Sequence, residues 1–75
     1  MIVGRYPELP PERVMAALQR LGFYVRRTRG GHTIMRRDRP FAQTVVPRHD
    51  KVKPHILAEI VSQAGVSLEE FLEKL

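Results

Sequence analysis

The sequence predicts an α+β fold in which a small antiparallel three-stranded sheet carries helices on one of its faces. Two observations predict it. Apolar residues recur with a helical period in two segments, and three short runs of β-forming residues, separated by turn signals, lie between those segments. A chain of 75 residues is long enough for one domain with one modest core, so we expect a single domain over residues 1–75.

The first helix is predicted at residues 11–21 and a second one from Pro54 to the cap at Gly65. Prolines stand at both predicted starts, and proline is tolerated in a first helical turn. Gly22 is suited to end the first helix as a C-terminal cap. The apolar stripes are Val14, Ala17, Leu18 and Leu21 in the first helix, and Ile56, Leu57, Ile60, Val61 and Ala64 in the second.

Three strands are predicted between these helices. They span residues 23–29, 32–37 and 41–46, and Pro47 ends the last one. Gly30-Gly31 and Asp38-Arg39-Pro40 supply the turns. Strands joined by such short turns must be antiparallel.

The two ends of the chain are predicted to differ. Residues 1–9 are expected to form an irregular arm because prolines interrupt them. Near the other end, Ser67 and Glu70 have the spacing of a capping box, which predicts a short final helix. Its buried face is expected to consist of four apolar residues: Leu68, Phe71, Leu72 and Leu75.

Positive charge is concentrated in the middle of the chain. The formal net charge is +5, but residues 20–53 hold ten basic residues against two acidic ones, a net charge of +8. Residues 54–75 carry a net charge of −3. A concentrated basic region indicates a polyanionic partner, most often a nucleic acid, although a solvated basic surface is the alternative.

Several classes of site are excluded or disfavoured by composition. The chain has no cysteine, which excludes disulfides and thiolate chemistry. Its three histidines have spacings that fit no compact metal-ligand motif, so we expect no metal and no cofactor. The apolar runs fall short of the roughly 20 residues that span a bilayer, and the first residues lack a signal-peptide core. We therefore expect a cytoplasmic protein without a membrane partner.

The strands carry arginines that cannot all be buried. If the helices cover one face of the sheet, the other face or its rim is expected to be cationic. This layout resembles the double-stranded-RNA-binding fold, which contacts mainly phosphates and 2′-hydroxyls. The strand arginines are Arg26, Arg27, Arg29, Arg36 and Arg37.

Three motifs follow one another along the chain. Gly22-Phe23 precedes a basic strand that leads to Arg29-Gly30-Gly31-His32, and Val46-Pro47-Arg48-His49 comes next. The last third holds Lys53-Pro54, Leu57, Ile60, Gln63-Ala64-Gly65-Val66-Ser67 and Glu69-Glu70-Phe71. Their order and spacing, over about residues 12–75, resemble the HicA toxin family, whose pattern includes a glycine–aromatic pair, Gly-Ser-His and Val-Pro-x-His.

The resemblance implies a small toxin that cleaves messenger RNA and is partnered with a HicB antitoxin. The family's catalytic histidine corresponds to His32. Two positions depart from the pattern: Gly31 stands where the family usually has serine, and His55 stands where it usually has glycine. The hydroxyl at position 31 is therefore missing.

The chemistry of His32 agrees with this implication. RNA cleavage without a metal needs a base for the 2′-hydroxyl and an acid for the leaving 5′-oxygen, and imidazole suits both tasks. The two glycines before His32 would let a phosphate backbone approach closely. Arg29 and Arg36 could stabilise charge that grows on phosphorus. The alternative is that His32 is only a polar residue at the start of a strand. Since His32 alternates in phase with Ile34, the sequence leaves open which face of the sheet it occupies.

Further residues are expected to contact RNA. His49 is a candidate second acid or base, a candidate phosphate contact, or only a loop histidine. The expected RNA contacts are Arg26, Arg27, Arg29, Gly30, Gly31, Arg36, Arg37, His49, Lys51 and Lys53.

The antitoxin is expected to be acidic at its contact surface, because opposite charges speed the encounter of two proteins. It is also expected to cover His32.

Three other functions compete with a ribonuclease toxin. The main alternative is a noncatalytic RNA-binding module of the same fold. A DNA-binding module is disfavoured because the arginines lie on strands, whereas major-groove readers usually use a helix. In a protein-binding domain, Leu68, Phe71 and Leu72 would form an exposed patch.

Overall fold

A computed structural model of the protein describes residues 5–75. The elements are α1 (Pro11–Arg20), β1 (Tyr24–Arg29), β2 (His32–Asp38), β3 (Phe41–Pro47), α2 (Pro54–Ala64) and α3 (Leu68–Glu73). The strands form one antiparallel sheet in the order β1-β2-β3. The predicted α+β fold is confirmed, and each helix and strand bound that was predicted lies within one residue of the observed one.

Helices α1 and α2 cover one face of the sheet. Both begin with proline, and their apolar stripes pack toward β3; Leu21 and Ile56 are only partly buried, and the other stripe residues are buried. The side chains of β2 and β3 that point toward these helices are buried: Thr33, Met35, Ala42, Thr44 and Val46. The alternate residues of the two strands face the other way and remain exposed or half-buried. The opposite face of the sheet is therefore open.

Strand β1 lies at the edge of the sheet. All six of its residues are exposed, in contrast to the alternating burial of β2 and β3. Its pairing with β2 shifts between Val25 and Arg27, which leaves Arg26 as the extra residue of a β-bulge. The three arginines of β1 consequently all reach solvent.

Leu9 is a core residue that the sequence did not single out. Its amide donates to the Val52 carbonyl at 3.1 Å, and the Val52 amide donates back to the Leu9 carbonyl at 2.7 Å. Both side chains are buried. This one-residue bridge joins the predicted N-terminal arm to the loop before α2. Residues 1–4 of that arm lie outside the described residues.

The capping box at the last helix is confirmed. Ser67 Oγ accepts from the Glu70 amide, and the Glu70 carboxylate accepts from the Ser67 amide, both at 3.0 Å. The expectation that all four apolar residues of this helix are core is wrong: Phe71 is fully buried, whereas Leu72 is 38% exposed. Successive helical residues point about 100° apart, so a six-residue helix that buries Phe71 turns Leu72 aside.

Candidate nucleic-acid interface

His32 lies on the open face of the sheet. It is the first residue of β2, its side chain is exposed, and its neighbour Thr33 points to the helices and is 2% exposed. In the sheet, His32 pairs with Arg29 of β1 on one side and with Pro47 of β3 on the other. Cross-strand partners stand on the same face, so the guanidinium-bearing side chain of Arg29 stands beside the imidazole of His32.

The turn before His32 exposes bare backbone. Gly30 has a φ of 57°, the left-handed conformation that a two-residue hairpin loop requires at its first central position. A Cβ built at Gly30 would meet nothing within 4 Å, so the space around it is open. A phosphate group can therefore approach the backbone at Gly30, two residues before His32.

The loop after β3 lies against this turn. The Arg48 amide donates to the Gly31 carbonyl at 2.8 Å. The ring of His49 rests on Gly31: a Cβ built there would lie 2.7 Å from Nε2 of His49 and closer still to Cδ2. We call residues 29–32 with Arg48 and His49 the histidine corner. It brings His49 against Gly31, the residue before His32, which is 18 positions away in the sequence.

Lys51 and Lys53 continue from the histidine corner toward α2. Both are exposed, and the Lys53 carbonyl accepts from the Leu57 amide at 2.8 Å at the start of the helix. His55 is exposed in the first turn of α2. The two lysines thus extend the positive charge of the corner along the loop.

Arg36 lies at the other end of β2. It is four residues from His32, about 13 Å at the rise of a strand. Its Nε donates to Asp38 Oδ1 at 2.9 Å, and its guanidinium lies 5.3 Å from the ring centre of Phe41. The Tyr24 hydroxyl also donates to Asp38, at 3.2 Å. The structure therefore brings Arg29, and not Arg36, to His32.

Arg37 points away from the open face. It packs between α1 and α2 with its guanidinium 4.8 Å from the ring centre of Phe23. It donates to three main-chain carbonyls: Pro40 at 3.0 Å, Ala64 at 3.2 Å and Leu21 at 3.4 Å. Two of these carbonyls belong to helix C-terminal ends, which lack partners within the helix and attract a cation. Arg37 therefore serves the packing of the domain.

Arg26 and Arg27 are exposed on β1, and Arg27 pairs across the sheet with Ile34. Within residues 5–75, no carboxylate lies in salt-bridge range of either side chain or of Arg29. Their charges are therefore available to a ligand along the edge strand and beside His32.

The described part of the chain has two further properties. None of its helices is long and apolar enough to cross a lipid bilayer. Nowhere in it do three or more histidine, aspartate or glutamate side chains come together as metal ligands would.

The chain matches a known family over most of its length. The pattern of the family described as the HicA toxin of bacterial toxin–antitoxin systems matches residues 11–66. This range begins with α1, includes the sheet and the histidine corner, and ends just after α2. No curated protein matches the chain. Since the family pattern covers well over half of the sequence, the protein belongs to the HicA family of bacterial toxins.

Proposed function

We propose that this toxin is an endoribonuclease that cleaves messenger RNA without a metal ion, with His32 as a general acid or base. The observation that carries the proposal is the position of His32, exposed on the open face beside Arg29 and two residues from the open backbone of Gly30. This arrangement offers a proton-transfer group, a cation and an approach for a phosphate at one place.

The chemistry proposed is an internal transfer within the RNA. A base removes the proton of a 2′-hydroxyl, the 2′-oxygen attacks the adjacent phosphorus, and the bond from phosphorus to the 5′-oxygen breaks. An acid gives its proton to that 5′-oxygen. The products are a 2′,3′-cyclic phosphate and a free 5′-hydroxyl. Arg29 stabilises the negative charge that grows on the phosphate oxygens.

The rest of the basic surface supports binding of the RNA chain. Arg26 and Arg27 extend along β1 on one side of His32, and Lys51 and Lys53 extend along the loop on the other. Contacts of this kind are made to phosphates and carry little sequence information. Arg36 contributes less, because Asp38 pairs with it.

The test is incubation of a single-stranded RNA with the purified protein in excess chelator. We expect cleavage of the RNA and none of the matching DNA strand, which lacks the 2′-hydroxyl. His32→Ala is expected to lower the rate by about 10²–10⁴-fold, the usual contribution of an acid–base group, with the fold retained. His55→Ala, which removes another exposed histidine, is the matched control and is expected to cleave at the original rate.

Two results would refute this proposal. A strict requirement for a divalent ion would replace the metal-free mechanism. RNA binding without cleavage, unchanged in His32→Ala, would instead support the noncatalytic RNA-binding module.

The family implies an antitoxin partner. We propose that it is a HicB-like protein whose acidic surface covers His32 and the exposed arginines of β1. A partner placed there would block RNA sterically as well as neutralise charge, so inhibition would survive moderate salt.

A further inference from the structure

Position 31 has no room for a side chain while His49 keeps its place. Any Cβ there would overlap the His49 imidazole, at Cδ2 and at Nε2. Contacts below 3.0 Å are essentially never made by real Cβ atoms, so one of the two groups would have to move. Gly31 and His49 are therefore sterically coupled.

The group that would move is the imidazole. Gly31 is held on both sides, since its carbonyl accepts from the Arg48 amide at 2.8 Å and the residues flanking the turn, Arg29 and His32, are paired. His49, in contrast, is exposed and its ring is the free end of a flexible side chain. A side chain at position 31 would displace the ring from the histidine corner and leave the backbone in place.

The ring also lies against the residue that precedes His32. The Cα atoms of Gly31 and His32 are about 3.8 Å apart, as those of all consecutive residues are. Both histidines are exposed, and Arg29 stands beside His32. Two imidazoles and a guanidinium thus border the same open turn.

We propose that His49 is the second proton-transfer group of the site and that Gly31 is the residue that makes room for it. This inference rests on the proposed ribonuclease function. One imidazole takes the proton from the 2′-hydroxyl and the other gives a proton to the 5′-oxygen as it leaves. Exchange of protons with water then restores both rings. On this view Gly31 lacks the serine hydroxyl of the family pattern but leaves the His49 imidazole room to lie against the turn.

The experiment compares His49→Ala, Gly31→Ala and the double variant, with His55→Ala as the control. Turnover is measured on saturating RNA, and affinity is measured with the same RNA carrying a 2′-deoxy sugar at the cleaved position. We expect His49→Ala to lose about 10²-fold or more in turnover with little change in affinity. Gly31→Ala is expected to match that loss while its melting temperature stays close to the original.

The double variant shows whether Gly31→Ala slows turnover by displacing the His49 ring or by a separate defect of its own. Once His49 is alanine, a methyl group at position 31 has no ring to displace. The double variant should therefore be no slower than His49→Ala alone, which is the non-additivity expected of groups that act together.

A substrate with sulfur in place of the bridging 5′-oxygen identifies the acid, because a thiolate leaves without a proton. We expect this RNA to restore cleavage in only one of the variants His32→Ala and His49→Ala. Equal responses of the two variants would overturn the proposal. So would a His49→Ala protein with original turnover, or one whose only defect is in affinity. If the unaltered protein leaves RNA intact, or His32→Ala cleaves normally, the ribonuclease function itself fails.

Discussion

Replacing Arg37 with Met removes a guanidinium from the junction of α1, α2 and the β2–β3 turn. The aliphatic stem that packs over Phe23 is largely preserved. The hydrogen bonds to Pro40 and Ala64, at 3.0 and 3.2 Å, are lost, together with a longer one to Leu21. The loss also leaves carbonyls at two helix ends without a protein partner.

The magnitude follows from the two shorter hydrogen bonds. A hydrogen bond to a charged group contributes about 1.5–3 kcal/mol when well shielded, but the bond to Ala64 is only partly buried and the bond to Pro40 is exposed. Taking about 1 kcal/mol for each gives a loss of about 2 kcal/mol in the free energy of unfolding. For a domain of this size, that loss lowers the melting temperature by roughly 10 °C.

Thermal unfolding followed by circular dichroism measures the effect, and Arg27→Met is the matched control. Arg27 is exposed and pairs with no carboxylate in residues 5–75, so its replacement should change the free energy of unfolding by less than about 0.5 kcal/mol. At a temperature where both variants are folded, Arg27→Met should lower RNA affinity more than Arg37→Met does. A stable Arg37→Met protein that binds RNA as poorly as Arg27→Met would refute the structural role of Arg37.

Three further predictions follow from the same structure. The logarithm of RNA affinity should fall with the logarithm of salt concentration by about 0.7 per phosphate contact, and Arg29→Met should reduce that slope by about one contact in a titration. Phe71→Ala should destabilise the domain by about 3–5 kcal/mol in urea unfolding, whereas Leu72→Ser should be nearly neutral; equal effects would contradict the burial of α3. A purified antitoxin complex should cleave RNA far more slowly than the free toxin and should compete with RNA. Antitoxin docking on α3 alone, away from His32, would contradict the proposed partner surface.

The fold could be predicted because each boundary has a local cause. Prolines start both long helices, Gly30-Gly31 forms a hairpin turn, and Ser67 caps the last helix. Such signals act within a few residues, so they can be recognised without knowing what packs against what. The burial of Leu72 failed as a prediction because it depends on how a short helix is oriented on the core.

The site could be predicted only in part. His32 is in phase with the apolar Ile34, so alternation alone did not assign it to a face; the structure does so through the burial of Thr33. The contact of Gly31 with His49 depends on the register in which His32 pairs with Pro47. The role of Arg37 depends on two helix ends that both come within hydrogen-bond distance of its side chain near the end of β2. These are long-range features with no local signature.

The bridge between Leu9 and Val52 bears on how the loop that carries His49 is ordered. Val52 is fully buried, so this loop is fixed near its end by the core as well as at its start by the hydrogen bond from Arg48. Part of the backbone conformational entropy of the segment 49–51 is therefore lost when the chain folds rather than when RNA binds. In hydrogen exchange, the amide of Val52 should open with the global unfolding of the domain, in contrast to the amides of the exposed residues 49–51.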